Sequence, residues 1–487
     1  MNSLNYFTNF VKLRLFLLPI EIFHLNVMFK TKKLVSRRGF LKSALAGGAI
    51  TAVSAAGCDS AKNEYQAEKA IPKDKMTYRL NNKGEKISIL GYGCMRLPTI
   101  KNDSARESNA EIDQEMVNKH VEYALEHGVN YFDTSPAYCK GLSERAMGIA
   151  LSRHDRSKYY IATKLSNFAK STWSYEESVK IYNKSFKELQ VDYIDYMLLH
   201  GIGMGGMENL HARYLDNGIL DFLLKEREKG KIKNLGFSYH GDVKCFDYLL
   251  EHHDEYKWDF VQIQMNYIDW QHAERDANAE YLYNELEKRN IPIVIMEPLR
   301  GGALANLNHS VLSMLKRANP DLSAASWAFR YAGTPKGILT VLSGMTYMEH
   351  LQENIRTYSP LVPLTQEETE MMERAGEQIL NFPLIGCTAC QYCMPCPYGL
   401  NIPGIFAHYN KCINEGNFTA DIKDENFAKA RRIFLIGYDR SVPKLRQADH
   451  CVGCHKCEEH CPQQIPIAEK MRLIDNYVEN LKRSKNV

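Results

Sequence analysis

Between Met76 and Pro360 the chain alternates short apolar runs with longer amphipathic segments. Short apolar runs of this kind are typical of buried strands, and the longer segments have the periodicity of helices. Eight such units in one stretch of this length predict a (β/α)8 TIM barrel. The apolar runs lie at residues 87–93, 129–132, 159–163, 193–199, 232–237, 260–264, 291–296 and 337–342.

A doubly wound open sheet is the alternative that the same alternation allows. That fold commonly has a Gly-x-Gly-x-x-Gly motif after an early strand, and none follows the first runs here. Apolar residues make up 45% of the chain and charged residues 24%, which excludes extended disorder and a multi-span membrane protein. The net charge of +3 is too small to indicate a nucleic acid partner.

The alternation of strands and helices, together with the missing glycine motif, predicts an α/β barrel over residues 76–362.

Polar side chains end three successive predicted strands, and a tyrosine follows the first of them. Asp133, Lys164 and His200 close the second, third and fourth runs, and Tyr138 follows Asp133 by five residues. The carboxyl ends of barrel strands share one rim, so we expect the four side chains to converge there. Taken singly, each has a structural alternative, as a helix cap, a packed loop aromatic, a solvated charge or a core histidine.

The segments around these residues resemble the aldo-keto reductase family. They read Tyr-Phe-Asp-Thr-Ser-Pro-Ala-Tyr up to Tyr138, then Ser-Glu-Arg-Ala-Met-Gly, Thr-Lys164 and Leu-Leu-His200. The resemblance covers residues 76 to 360 and implies a carbonyl–alcohol oxidoreductase. It implies that Tyr138 protonates the carbonyl oxygen and that Lys164, held by Asp133, stabilises the phenolate. It also implies that His200 orients and polarises the carbonyl.

The same resemblance implies a nicotinamide cofactor without a dinucleotide-binding domain. Ser238 and Gln264 align with contacts to the nicotinamide amide, and Met296 stands where the family has a stacking aromatic. The phosphate-binding segment contains Ser343, Gly344 and Asn354, and the basic residues that hold a 2′-phosphate are absent from it. These departures leave open whether the chain uses NADH, NADPH or neither.

Nine of the 13 cysteines lie between Cys387 and Cys461. The second cysteine run (residues 451–462) has the C-x2-C-x2-C-x3-C-P spacing of bacterial ferredoxins, and the first (387–397) is one residue shorter. The pattern predicts two [4Fe–4S] clusters, with a zinc site or disulfides as the alternative. In such motifs the last cysteine ligates the other cluster, so we assign Cys387, Cys390, Cys393 and Cys461 to one cluster, and Cys451, Cys454, Cys457 and Cys396 to the other.

The insert between the two runs has a helical pattern, with apolar residues at Ile405, Phe406, Tyr409 and Ile413 and again over residues 427–434. It resembles an α-helical ferredoxin domain, and we name residues 363–487 the cluster domain. We expect Cys412, on the first of these helices, to be a core residue.

The amino-terminal region resembles an export signal. Arg37 and Arg38 precede Phe-Leu-Lys, and the apolar stretch at 43–57 is shorter than the ~20 residues of a membrane span. This resembles a twin-arginine signal, with a basic loop before a small helix as the alternative. Ala-Ala-Gly-Cys58 resembles a lipoprotein cleavage box, which implies a lipid on Cys58; cleavage nearby with an unmodified Cys58 is the alternative.

The segments on either side of the signal have their own predictions. Residues 1–27 fit no signal, whereas Met28 begins a basic segment typical of a signal start, so we expect translation to begin there. Residues 28–58 then form the signal and residues 59–75 a polar linker. We expect export by the twin-arginine translocase to the periplasm, with a membrane contact only through the lipid.

Two functions fit these parts. The first is an exported oxidoreductase that interconverts a small carbonyl and alcohol, with clusters that exchange electrons with a redox partner protein. The second is an exported electron carrier whose barrel is a ligand-binding or inert scaffold. The clusters could also be purely structural. The intact set of Asp133, Tyr138, Lys164 and His200 favours the enzyme.

Overall fold

The computed structural model describes residues 73–100, 111–273, 277–419 and 421–484. The predicted signal, the predicted start at Met28 and Cys58 lie outside these residues. Within the described part of the chain, no helix combines the length and apolar character that a membrane crossing requires.

Eight parallel strands close into a barrel in the order β10-β3-β4-β5-β6-β7-β8-β9, which confirms the predicted fold. A separate antiparallel hairpin of two strands precedes them. The hairpin strands are β1 Tyr78–Leu80 and β2 Lys86–Ser88; the barrel strands are β3 Leu90–Gly93, β4 Tyr131–Asp133, β5 Tyr160–Leu165, β6 Ile194–Ile202, β7 Ile232–Tyr239, β8 Phe260–Gln264, β9 Ile293–Met296 and β10 Ile338–Gly344.

The run at 87–93, predicted as one strand, is divided between the hairpin and the barrel. Its first part pairs with β1, while β3 lies between β10 and β4. Ile87 packs into the barrel interior, and Asn81 donates a hydrogen bond to the hydroxyl of the interior residue Tyr196 at 2.9 Å. The hairpin therefore covers the amino-terminal end of the barrel and leaves the carboxyl ends of the strands accessible to other parts of the chain.

Large side chains fill the barrel, so it is a packed core and not a channel. The rings of Tyr131 and Phe260 each lie 5.0 Å from the ring of Tyr196, in edge-to-face contacts. Aromatic and β-branched residues point inward here because alternate residues of a strand face opposite sides.

Helices surround the barrel and then continue into the cluster domain. Side-chain caps such as Asp113, Ser174 and Asn401 accept hydrogen bonds from the first turns of their helices and fix where these begin. Around the barrel lie α1 Gln114–Glu126, α2 Ser143–Leu151, α3 Tyr175–Leu189, α4 Gly206–Leu210, α5 Ile219–Glu228, α6 Val243–Glu251, α7 His253–Tyr256, α8 Asp269–His272, α9 Ala279–Lys288, α10 His309–Ala318, α11 Ala324–Gly333 and α12 Met348–Thr357. The later helices are α13 Gln366–Leu380, α14 Ile402–Asn414, α15 Phe427–Ser441 and α16 Ile467–Arg483.

The cluster domain has a small apolar core of its own. Ile405, Phe434 and Met471, from α14, α15 and α16, pack together in this core, and Cys412 is buried among them as expected. Helix α13 lies beyond the predicted end of the barrel at residue 362, yet it packs on α10 and α11. The first cysteine run follows α13 in the chain and therefore lies close to the barrel.

The first cysteine run meets the barrel at Thr388. Arg96, just after β3, donates a hydrogen bond to the Thr388 carbonyl oxygen at 2.7 Å. Gly301, in the loop after β9, has φ +67°, and a Cβ at this position would lie 2.1 Å from the same oxygen. A glycine is required there both by the left-handed backbone and by the close approach of the two segments.

We predict that Gly301→Ala weakens the contact between the barrel and the cluster domain. The left-handed backbone alone costs about 1–2 kcal/mol with a Cβ, and the overlap with Thr388 adds about 1–3 kcal/mol. Gly218→Ala is the matched control, because Gly218 has φ +74° and open space around it. Denaturant unfolding measures both variants; equal losses of stability would contradict a tight contact at Thr388.

Candidate active site at the carboxyl end of the barrel

Asp133 and Lys164 form a buried ion pair at the carboxyl ends of β4 and β5. The Lys164 ammonium donates to both carboxylate oxygens of Asp133 at 2.7 Å and to the Thr134 carbonyl oxygen at 2.9 Å. The Lys164 and Asp133 side chains are 0% and 3% exposed. All three ammonium protons are thus used, and each member of the buried pair compensates the charge of the other.

Tyr138 lies against this pair on a short helical turn after β4. Its ring centre is 4.9 Å from the Lys164 ammonium nitrogen. Burial raises the pKa of Tyr138 well above 10, and the neighbouring Tyr392 and Asp133 add to this. Burial therefore dominates the pKa of Tyr138, and the expected stabilisation of a phenolate by Lys164 stays a prediction. Tyr138 keeps its proton at neutral pH, which is the state that a general acid needs.

His200 lies within β6, which continues past it to Ile202. Its ring centre is 5.9 Å from that of Tyr138, and its Nδ1 lies 2.5 Å from the Ser166 hydroxyl oxygen. Burial, followed by the charge of Lys164, lowers the pKa of His200 well below 6.5. The imidazole is therefore neutral at pH 7, with one nitrogen as donor and the other as acceptor.

A fifth side chain completes this group, and it comes from the cluster domain. Tyr392 stands between Cys390 and Cys393, and its hydroxyl lies 3.2 Å from His200 Nε2. The same hydroxyl hydrogen-bonds to the side chain of Tyr138. The structure thus brings the four predicted catalytic residues together and adds Tyr392 to them.

Two cavities meet at these tyrosines. One, of about 1490 Å³, is lined by Tyr138 and Tyr392 together with Phe168, Trp173 and Arg213. The other, of about 450 Å³, is lined by the same two tyrosines. Both are formed by described residues, and His200 lines neither of them. Tyr392 therefore lines both cavities, whereas His200 lies behind it and is not exposed to either.

Most of the side chains predicted to bind a nucleotide line the smaller cavity. These are Gln264, Met296, Ser343, Gly344 and Asn354. Met296 accepts a hydrogen bond from the Gln262 amide at 3.4 Å, and Asn354 donates one to the Ser343 hydroxyl at 3.0 Å. Ser238 does not line this cavity, and its hydroxyl oxygen accepts the Gly201 N–H at 3.0 Å.

Gln264 does not offer its amide to a ligand in this structure. Its nitrogen donates to Asp269 at 2.5 Å and to the Gln463 side-chain oxygen at 3.2 Å. Its oxygen accepts from the Gln463 amide nitrogen at 2.9 Å. The nitrogen and the oxygen of the Gln264 amide are thus both bonded to protein, so this residue, expected to bind a nicotinamide carboxamide, does not fit that group as it stands.

The cysteines of the two runs lie close to one another. The pKa of Cys387 is raised to about 11 and that of Cys390 to about 12, mainly by burial and in part by the nearby Cys461. Cys393 interacts with Cys387, Cys390 and Cys461, and also with Cys457. Cys461 thus comes from the second run to meet three cysteines of the first. A set of four thiols is the usual ligand set of a [4Fe–4S] cluster.

In a second group, Cys457 interacts with Cys396 and with Cys451, while Cys454 is exposed. Within the described residues, no three His, Cys, Asp or Glu side chains converge as closely as the ligands of a single metal ion do. A [4Fe–4S] cluster is larger than one ion, and its thiolates stand at separate corners. The ligand assignments stay predictions.

Tyr392 and Gln463 were missed by the analysis of the sequence, and so was Ser166. Tyr392 lies within the first cysteine run and Gln463 directly after the second. At such positions the cysteine spacing predicts a cluster site, but it does not predict contacts with the barrel. Their contacts with His200, Tyr138 and Gln264 arise only when the cluster domain docks on the barrel. Ser166 follows Lys164 by two residues, so its position on the same strand end is the one signal that could have identified it.

We predict that Asp133→Asn destabilises the protein by about 3–5 kcal/mol, because it leaves the buried Lys164 ammonium without a counter-charge. Replacing both partners, with Asp133→Asn and Lys164→Met together, removes the unpaired charge and restores part of that loss. Denaturant unfolding of the two single variants and the double variant measures the coupling. Additive losses would show that the two side chains do not form a pair.

Comparison with known proteins agrees with this geometry. The model of the Aldo/keto reductase family matches residues 90–377, more than half of the chain, and that of a 4Fe-4S dicluster domain matches residues 386–466. L-galactose dehydrogenase of Arabidopsis thaliana is 25% identical over 60% of this chain and 91% of its own length. An uncharacterized oxidoreductase of Bacillus subtilis, YqkF, is 27% identical over 60% and 94%.

Among solved structures, an aldo-keto reductase from Klebsiella pneumoniae in complex with NADPH aligns with a TM-score of 0.48 and 17% identity, over 61% of this chain and 94% of that one. The family match spans the strands that carry Asp133, Tyr138, Lys164 and His200. The chain therefore belongs to the aldo/keto reductase family, and it is an oxidoreductase of this type with a 4Fe-4S dicluster domain after its barrel.

Proposed function

We propose that the protein interconverts a carbonyl and an alcohol, with Tyr138 as the general acid and base and two [4Fe–4S] clusters that relay electrons to the site. The observation that carries the proposal is the position of Tyr392. This residue stands between two predicted cluster ligands, and its hydroxyl contacts both His200 and Tyr138. One turn of chain thus joins the predicted cluster site to the catalytic side chains.

The chain's own residues handle the protons and the orientation of the substrate. Reduction of a carbonyl needs two electrons, which the redox partner supplies through the clusters, and two protons, one for oxygen and one for carbon; solvent that enters the large cavity supplies the proton for carbon. Tyr138 holds its proton at neutral pH and faces the large cavity, so it delivers that proton to oxygen. Tyr392, backed by His200, offers a second hydrogen bond to the same oxygen. Lys164 lies 4.9 Å from the Tyr138 ring and stabilises the phenolate formed.

The cysteines of the two runs would hold the clusters, which supply single electrons when bound. A one-electron redox protein is the expected donor or acceptor, because the clusters exchange one electron at a time. The alternative is that the protein only carries electrons and that the barrel is a scaffold. The buried Asp133–Lys164 pair beside Tyr138 favours the enzyme, since a scaffold has no need of a buried charge at this place.

Tyr138→Phe tests the enzyme against the carrier. We expect the variant to lose about 10²–10⁴-fold of its turnover, because it lacks the proton donor. The cluster-loaded protein is assayed with benzaldehyde and reduced methyl viologen, and with L-galactose and ferricyanide in the other direction. L-galactose is included because a relative is named for it.

Tyr281→Phe is the control, since the Tyr281 hydroxyl is exposed and bonds Asp247 at 2.7 Å, away from the barrel end. We expect it to keep full turnover. If Tyr138→Phe also keeps full turnover while its clusters are still reduced by the donor, the protein is a carrier and not a carbonyl–alcohol enzyme.

We also propose that the protein is made from Met28, exported by the twin-arginine translocase and anchored in the membrane through a lipid on Cys58. The twin arginines suit a chain that receives clusters in the cytoplasm, because this route carries folded proteins. We expect Arg37→Lys with Arg38→Lys to leave the protein in the cytoplasm, and Cys58→Ser to release it from the membrane.

Lys32→Arg with Lys33→Arg is the matched control and keeps normal export. Cell fractionation and mass spectrometry of the purified protein measure both effects. Export of the twin-lysine variant at the control level would contradict the proposed route, and a peptide from residues 1–27 in the precursor would contradict the start at Met28.

A further inference from the structure

Gln463, the residue directly after the second cysteine run, reaches into the barrel and pairs with Gln264. The two primary amides exchange hydrogen bonds in both directions, at 2.9 and 3.2 Å. Gln264 is 0% exposed and Gln463 4% exposed. A buried amide pair of this kind has its polar groups satisfied without water.

The partner that Gln463 presents to Gln264 is a primary carboxamide, which is also the polar group of a nicotinamide ring. A ligand carboxamide could bind Gln264 only by displacing Gln463. Displacement would leave the Gln463 amide buried without a partner, and a buried polar group in that state is unfavourable. The chain thus supplies its own carboxamide at the place where the family resemblance implies a cofactor amide.

The segments beside Gln463 leave little freedom for displacement. Pro462 precedes it and lines the same cavity, and Tyr392 closes the cavity beside it. The Thr388 carbonyl oxygen is hydrogen-bonded to Arg96 and lies against Gly301. Tyr392 and Thr388 belong to one cysteine run and Gln463 follows the other, so movement of Gln463 would disturb the docking of both runs.

The charges around the smaller cavity give an independent observation. Among the described residues that line it, Arg96 is the one lysine or arginine, and its guanidinium already bonds Thr388. Of the acidic residues that line the same cavity, Asp133 is paired with Lys164, Glu297 accepts the Gly301 N–H, and Glu353 is the third. A dinucleotide carries a negative charge on each phosphate of its bridge, and the described lining offers Arg96 alone to pair with them.

We infer that the cluster domain closes the nicotinamide site of this barrel with the Gln463 carboxamide, so that NADH and NADPH do not bind while the domain is docked. The inference goes beyond the proposed function, because nucleotide binding is independent of turnover. Loss of turnover in Tyr138→Phe and the absence of nucleotide binding are separate results, and either can fail alone.

The test is equilibrium binding of NADH and of NADPH to the full, cluster-loaded chain, followed by nucleotide fluorescence and by calorimetry. We expect no saturable binding by the unaltered protein. Gln463→Ala removes the internal carboxamide and frees Gln264, so we expect saturable nucleotide binding to appear, at least about ten-fold tighter than the weakest binding that the assay detects, the change that corresponds to one gained hydrogen-bonded contact.

Gln464→Asn is the matched control, because Gln464 is the exposed neighbour and an asparagine suits its positive φ. Gln463→Asn is a second variant, whose shorter amide withdraws from Gln264 while the chain keeps a polar residue there. The cluster absorbance of each variant shows that the domain is folded. Saturable binding by the unaltered protein would overturn the inference, and so would an absence of binding in both Gln463 variants.

Discussion

The first cysteine run contacts the barrel at Thr388, which lies between Arg96 and Gly301. This contact positions the rest of the run over the carboxyl end of the barrel. A glycine without Cβ lets the two backbones approach closely, and the Arg96 guanidinium fixes the carbonyl oxygen. Four residues further along the run, the Tyr392 hydroxyl reaches His200. The distance between a predicted cluster ligand and a catalytic side chain is therefore set by a few residues of tightly held chain.

Burial determines the chemistry of the side chains beneath this contact. Lys164 and Asp133 are both buried and lie 2.7 Å apart, so the carboxylate compensates the charge of the ammonium. The same low-dielectric surroundings raise the pKa of Tyr138 and lower that of His200, so both are neutral at pH 7. Two neutral hydrogen-bonding groups beside a buried, internally compensated ion pair can donate to an oxygen that becomes negative between them.

The sequence allowed the prediction of the barrel, of the side chains on its strand ends and of the cysteine runs, because each depends on local periodicity or spacing. It did not allow the prediction of Tyr392 or Gln463, whose roles arise from contacts over about 200 residues of chain. It also did not allow the prediction that burial dominates the pKa of Tyr138, because a sequence shows only that an ammonium is near, whereas burial depends on the fold.

The closed amide pair and the proposed export lead to the same requirement on the source of electrons. Free NADH and NADPH belong to the cytoplasm, so a periplasmic enzyme of this family would lack its usual reductant. In this chain Gln264 is bonded to Gln463 and Met296 stands where the family has a stacking aromatic, so two of the positions expected to hold a nicotinamide are occupied or altered. In the proposed function, the cluster domain replaces this reductant, because it supplies single electrons to the site through its own cysteine runs. The chain would then still need Tyr138 and the Asp133–Lys164 pair, since the carbonyl oxygen requires a proton whatever the source of the electrons.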